Sequence, residues 1–206
     1  MPDIKLNFIN QSNDQNNSSV VIFQKNSAVN SDEIAVAWKV IQNCSQGWNH
    51  PFVYPMSMYI GGSDSWGNYS PQLHAENGQQ FAMVKNASGD TIVYEGPSSN
   101  NNEVEMLNNL PVGAINANIY KDGSLLATKT NVAPGQKAVF EFKPTIWIGA
   151  VSEMVQGEVM NSAILESINT EISLLGIESA DIIMTGGGPS ASSTPFVFSL
   201  AHIVYA

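Results

Sequence analysis

Arginine is absent from this chain of 206 residues: its eight cations are all lysines, set against eighteen carboxylates, for a formal charge of -10. Arginine supplies the planar, bidentate fork with which proteins grip phosphate, and a net negative charge repels polyanions from a distance. Nucleic acid is therefore not an expected partner. Cysteine is nearly absent as well, and the single Cys44 cannot close an internal disulfide. No run of about eighteen apolar residues occurs, so no transmembrane helix is expected. The opening MPDIKLNFIN has no basic start followed by an apolar stretch and a small-residue cleavage site, so no secretory signal is read and a cytoplasmic location is expected. On that reading the Asn-x-Ser sequons at Asn10, Asn16, Asn17, Asn43, Asn68 and Asn86 are a by-product of composition.

Charge of either sign is scarce. The charged fraction is 13%, against roughly 25% in ordinary soluble proteins. The surface must then be covered largely by Asn, Ser, Gln, Thr and Gly. Apolar residues make up 43% of the chain, enough for one sizeable core in a single domain.

What is present is a succession of short β-branched and aromatic runs between turn formers. Ile4, Leu6 and Phe8 alternate with polar residues, and similar runs fall at 20–23, 34–41, 52–60, 80–85, 91–95, 104–107, 115–120, 125–130, 138–142 and 145–148. Asp122-Gly123 between alternating apolar runs predicts a tight hairpin, because that pair suits a turn with positive φ at both central residues. Asn86 to Asp90 reads as a second, longer hairpin connection, and Pro134-Gly135 sets a turn before Ala138, Phe140 and Phe142, which would share one face. Residues 152–167 carry Val155, Val159, Ala163 and Ile164 at helical spacing. Further strands are read at 171–177, 181–185 and 195–205, with the tract 186–193 between the last two as the most flexible loop. These signals predict an all-β chain, an antiparallel β-sandwich or jelly-roll-like fold with at most one short helix around 152–167. They are read as one β-rich domain over 1–206, with residues 150–206 as an alternative C-terminal extension on a 1–149 sandwich core.

Motifs that would carry chemistry are incomplete. Cys44, His50 and Met56 form a Cys-x5-His-x5-Met run that resembles the ligand loop of blue-copper proteins. Such a site takes a second histidine from an earlier strand, and none precedes Cys44, so no metal and no cofactor is expected. Gly61-Gly62-Ser63-Asp64-Ser65 does not match a nucleophile elbow, and a pairing of His74 with Glu76 or Asp64 has no nucleophile in view. Residues 185–190 resemble a phosphate loop only in glycine count. Asp64, Asp90, Asp122 and Asp181 stand singly, without the dense oxygen set that calcium needs.

The stretch 48–69 is the most informative. Trp48, Phe52, Tyr54, Tyr59, Trp66 and Tyr69 are interleaved with short polar side chains, a combination suited to stacking on sugar rings or to a protein interface. Trp48, Asn49, His50, Asp64, Trp66, Asn68 and Tyr69 are the candidate ligand or interface residues. The expected function is non-enzymatic and exercised through the surface, with self-association into a homo-oligomer or ordered assembly as the first reading. A lectin-like or membrane-surface-binding, toxin-like module acting on a glycan or a membrane surface is the second.

Overall fold

The computed structural model describes residues 2–28, 34–189 and 191–206. Among them lie seventeen strands and a single six-residue helix, so the chain is all-β and sandwich-like, as its turn spacing predicts. No helix among the described residues is long and apolar enough to cross a membrane.

The backbone gathers into two compact units. The first takes Met1–Gln24, Val36–Met56 and Pro144–Ala206; the second takes Lys25–Ala35 and Ser57–Lys143, and so interrupts the first at two places along the chain. Residues 150–206, given from sequence as an alternative C-terminal extension on a 1–149 core, fall in the first unit together with the N-terminal strands.

In the first unit, β1 (Ile4–Asn10), β5 (Asn49–Tyr54), β16 (Ile177–Gly187) and β17 (Thr194–Tyr205) form a sheet in the order β17-β16-β1-β5. Alternation along β1 buries Ile4, Leu6 and Phe8 and turns Lys5, Asn7 and Ile9 to the other face. A second sheet, in the order β15-β14-β2-β4, contains β2 (Ser19–Phe23), β4 (Lys39–Ile41), β14 (Thr145–Val151) and β15 (Thr170–Ser173). Strand β2 is buried along its whole length. Trp38, fully buried just before β4, meets Tyr54 of β5 edge to face at 5.9 Å, and burial pushes the Tyr54 phenol up to about 12. Helix α1 (Ser162–Ser167) starts at Asn161, whose Oδ1 accepts from the Ile164 amide at 3.0 Å. The helical spacing over 152–167 yields only this segment, because Gly157, at φ 84, turns the chain before it.

In the second unit, β8 (Gln79–Asn86), β9 (Gly89–Pro97), β10 (Val104–Asn108) and β13 (Lys137–Phe140) form the order β13-β10-β8-β9. Its other sheet, β3-β12-β11-β6-β7, consists of β3 (Ile34–Ala35), β6 (Met58–Asp64), β7 (Leu73–Ala75), β11 (Ile115–Lys121) and β12 (Ser124–Val132). The Asp122-Gly123 hairpin forms as expected. Lys121 pairs with Ser124, and the two turn residues have φ of 51 and 69. Ala138, Phe140 and Phe142 are all buried, as their spacing requires. Glu105, almost wholly buried on β10, is answered by the Lys137 ammonium at 2.7 Å.

Four local readings change. The run 34–41 divides into β3 and β4, which belong to different sheets. The run 52–60 divides at Pro55 into β5 and β6. The run 171–177 divides at Gly176, whose φ of 76 makes a turn between β15 and β16. The tract 186–193 is not free loop throughout. Gly186 and Gly187 lie within β16, and a Cβ on Gly186 would fall 2.2 Å from the Pro195 carbonyl oxygen. Ser190 of that tract lies outside the described residues.

Candidate functional site

The candidate residues divide between the units. In the second unit, Asp64 ends β6 and opens a tight loop that returns at Tyr69, which bridges Ser63. Asp64 Oδ1 accepts from the amides of Trp66 and Asn68, each at 2.9 Å, and Oδ2 accepts from Asn68 Nδ2 at 2.8 Å. The Asp64 amide donates to the Asn68 carbonyl at 3.0 Å. These hydrogen bonds, led by those from Asn68, hold the Asp64 carboxyl below the usual carboxylate range. Trp66 and Asn68 are thus tied by three hydrogen bonds to one carboxylate, yet the loop's aromatic side chains contribute nothing to the core. Trp66 is 85% exposed and Tyr69 75% exposed.

The sheet face next to this loop is built of rings and amides. Tyr59 of β6, partly exposed, meets the exposed His74 of β7 edge to face at 5.5 Å. On β11, Asn116 Nδ2 donates to Ser63 Oγ at 3.2 Å, and Thr128 Oγ1 of β12 donates to Asn118 Oδ1 at 2.7 Å. Gly61 lies under Tyr120, whose ring stands 3.3 Å from where a Cβ would be. Asn116, Asn118, Tyr120 and Thr128 were not among the sequence candidates. Their signal, polar residues alternating with apolar ones on β11 and β12, is the same alternation that any half-exposed strand shows.

In the first unit, Trp48 precedes β5 and is 65% exposed, while Asn49 and His50 at the strand start are exposed as well. Desolvation, followed by the nearby Lys39 charge, lowers the His50 pKa. Asn49 Nδ2 donates to Asn7 Oδ1 of β1 at 2.9 Å. Both tryptophans that the sequence places in polar loops therefore stand in solvent. Phe52 and Tyr54, from the same stretch, are core residues.

The incomplete motifs have structural employment. Ser63 is buried within β6 and bonded to Asn116, and the Asp64 carboxylate is occupied by its own loop. Gly62 faces inward, where a Cβ would collide with the Met83 methyl. Cys44 is half-buried and burial raises its thiol pKa; its carbonyl accepts from Asn10 Nδ2 at 2.7 Å. Among the described residues, no group of three or more His, Cys, Asp or Glu is placed to hold a metal ion.

No family model matches this chain, and no curated protein or solved structure is detectably similar to it.

Proposed function

We propose that this protein is a non-catalytic recognition module and that its Trp66–Tyr69 loop takes a neutral carbohydrate. One observation carries the reading: the indole of Trp66 stands in solvent on a loop whose Trp66 and Asn68 amides are both bonded to the Asp64 carboxylate. Exposing an indole in this way forgoes the burial of a large apolar surface, about 25 cal/mol per Å². A ring carried on a backbone fixed in advance has only its own two side-chain torsions left to order on binding, so it offers contact area at low cost. Stacking against the C–H face of a sugar uses that ring, and Tyr69, Tyr59 and His74 add polar tips nearby in sequence and sheet. The formal charge of -10 weighs against an anionic membrane surface as the ligand.

Self-association is the second reading, and it uses the same loop, with a second copy covering Trp66. The low charged fraction and amide-rich coat favour it. Strand addition is the less favoured route, since the long sheet edges are interrupted: β5 contains Pro51, β9 bulges before Pro97, and β17 carries Pro195 and a bulge near its end. Tryptophan fluorescence titrated with neutral polysaccharides, beside light scattering over a range of protein concentration, separates the two. A carbohydrate-dependent change at constant mass supports recognition of sugar. A concentration-dependent mass that Trp66→Ala abolishes supports association instead.

A further inference from the structure

The sheet β17-β16-β1-β5 of the first unit carries, on the face turned away from its core, a chain of polar contacts that crosses all four strands. Asn49 Nδ2 on β5 donates to Asn7 Oδ1 on β1 at 2.9 Å. Asn7 Nδ2 in turn donates to Asp181 Oδ1 on β16 at 3.1 Å. Asp181 Oδ2 lies 2.6 Å from Nδ1 of His202 on β17.

The backbone is bent to bring His202 into this row. Ser179 pairs with Val204 while Asp181 pairs with Ala201, so β17 holds an extra residue opposite β16. His202 occupies that bulge at φ 47. The other non-glycine residues with positive φ among those described are all Asn or Asp, which adopt this conformation more readily because their short side chains bond locally. Bulges of this kind re-aim a side chain, and strain held at one position points to a use for that position. The imidazole gains no burial in return, being 79% exposed.

The chemistry of the row selects a ligand class. With Nδ1 turned to the carboxylate, Nε2 is left outward as a further hydrogen-bonding atom, an acceptor in the neutral ring and a donor in the protonated one. Each Asp181 oxygen has accepted one bond here and a carboxylate accommodates about four, while Asn7 and Asn49 each have a further N–H. Donors and acceptors thus alternate along strands about 4.8 Å apart. Flanking the row, half-buried Ile9 and Ile183 pair with each other, and Pro51 lies opposite Asn7. An anion would meet the carboxylate of Asp181, and an apolar ligand would strip water from four polar groups. We propose that this row is a binding site for a neutral ligand bearing neighbouring hydroxyls, such as a pyranose, distinct from and independent of the Trp66 loop.

The test uses the isotopically labelled full chain, titrated with the methyl glycosides of mannose, galactose and glucose at millimolar concentration. The side-chain amides of Asn7 and Asn49 and the His202 ring are followed by NMR. At least one glycoside is expected to shift these signals, in the wild type and in Trp66→Ala alike. Glycine accepts φ 47 without strain, so His202→Gly is expected to melt no lower than the wild type and yet to lose the shifts. Asp181→Asn should weaken binding roughly tenfold or more, the loss of charge-assisted hydrogen bonds. Should His202→Gly fail to fold, Asn49→Ala, at an exposed edge position, carries the same test. The proposal is overturned if none of the three glycosides shifts these signals, or if the shifts persist unchanged in the variants that fold. Unchanged polysaccharide binding in folded Trp66→Ala, with this row still responsive, would count against the Trp66 reading alone.

Discussion

The Asp64 carboxylate fixes the backbone of Trp66 while leaving its indole in water: Oδ1 accepts the Trp66 amide at 2.9 Å, and the side chain is 85% exposed. The same oxygen takes the Asn68 amide, so the loop closes around one acceptor. Replacing Asp64 with Ala removes these acceptors without opening a core cavity. Trp66 fluorescence anisotropy should fall, while the melting temperature moves by only a few degrees, as surface changes usually do. An equal loss of anisotropy and global stability would mean that the loop is part of the folding unit.

The same pair sets a pH dependence. Because hydrogen bonds from Asn68 and the backbone lower the Asp64 pKa in the folded loop, its contribution is fully present above the ordinary carboxylate range. It is lost as pH falls through the lowered value. Below roughly pH 4, anisotropy of Trp66 is expected to drop in the wild type. The drop should be absent in Asp64→Ala, whose loop is already loose at neutral pH.

Gly186 tests whether the glycine tract is structural. It combines a φ of 90 with a Cβ position 2.2 Å from the Pro195 carbonyl oxygen. Gly186→Ala should destabilise the fold by roughly 2–4 kcal/mol, from backbone strain and overpacking together. Gly123→Ala, where nothing lies within 4 Å of the new methyl, should cost only the strain of its positive φ, roughly 1–2 kcal/mol. Equal effects in denaturant melts would show that packing against Pro195 adds nothing.

Glu105 and Lys137 offer a buried test of charge. Burial pushes the Glu105 carboxyl upward, but the Lys137 ammonium and the Ser99 hydrogen bonds outweigh it and hold the pKa low. Lys137→Met should cost about 2–3 kcal/mol at neutral pH, reduced from the full penalty for a buried unpaired charge because the ammonium reaches solvent. Acidification should narrow the difference, since protonating Glu105 removes the unpaired charge in the variant and the ion pair in the wild type. A gap that stays constant with pH would rule out this electrostatic origin.

Alternation and turn chemistry made much of the fold legible. Ile4, Leu6 and Phe8 declare the inner face of β1, and Asp122-Gly123 declares its hairpin. What could not be read was which strands meet. The parallel pairing of β1 with β16 joins Asn7 to Asp181, 174 positions apart, and nothing local in either segment specifies it. Breaks at Pro55 and Gly176 were hidden because the apolar runs continue across them. That Trp48 and Trp66 lie in loops was legible from their Gly, Asn and Ser neighbours, whereas the exposure of both rings is seen only in the structure. The place of His202 was not legible, since it follows from a bulge whose position depends on the register with β16.

The central claim, that Trp66 is a recognition residue, is tested most directly by comparing Trp66→Ala with the wild type in one carbohydrate titration. Binding is followed by the remaining tryptophans and by calorimetry against neutral polysaccharides, with melting temperature measured on the same samples. The expected result is an unchanged melting temperature and at least about tenfold weaker binding, the loss typical of an exposed aromatic anchor at the centre of a contact. Unchanged binding in a fully folded variant, or no binding by the wild type to any of the polysaccharides, would contradict it.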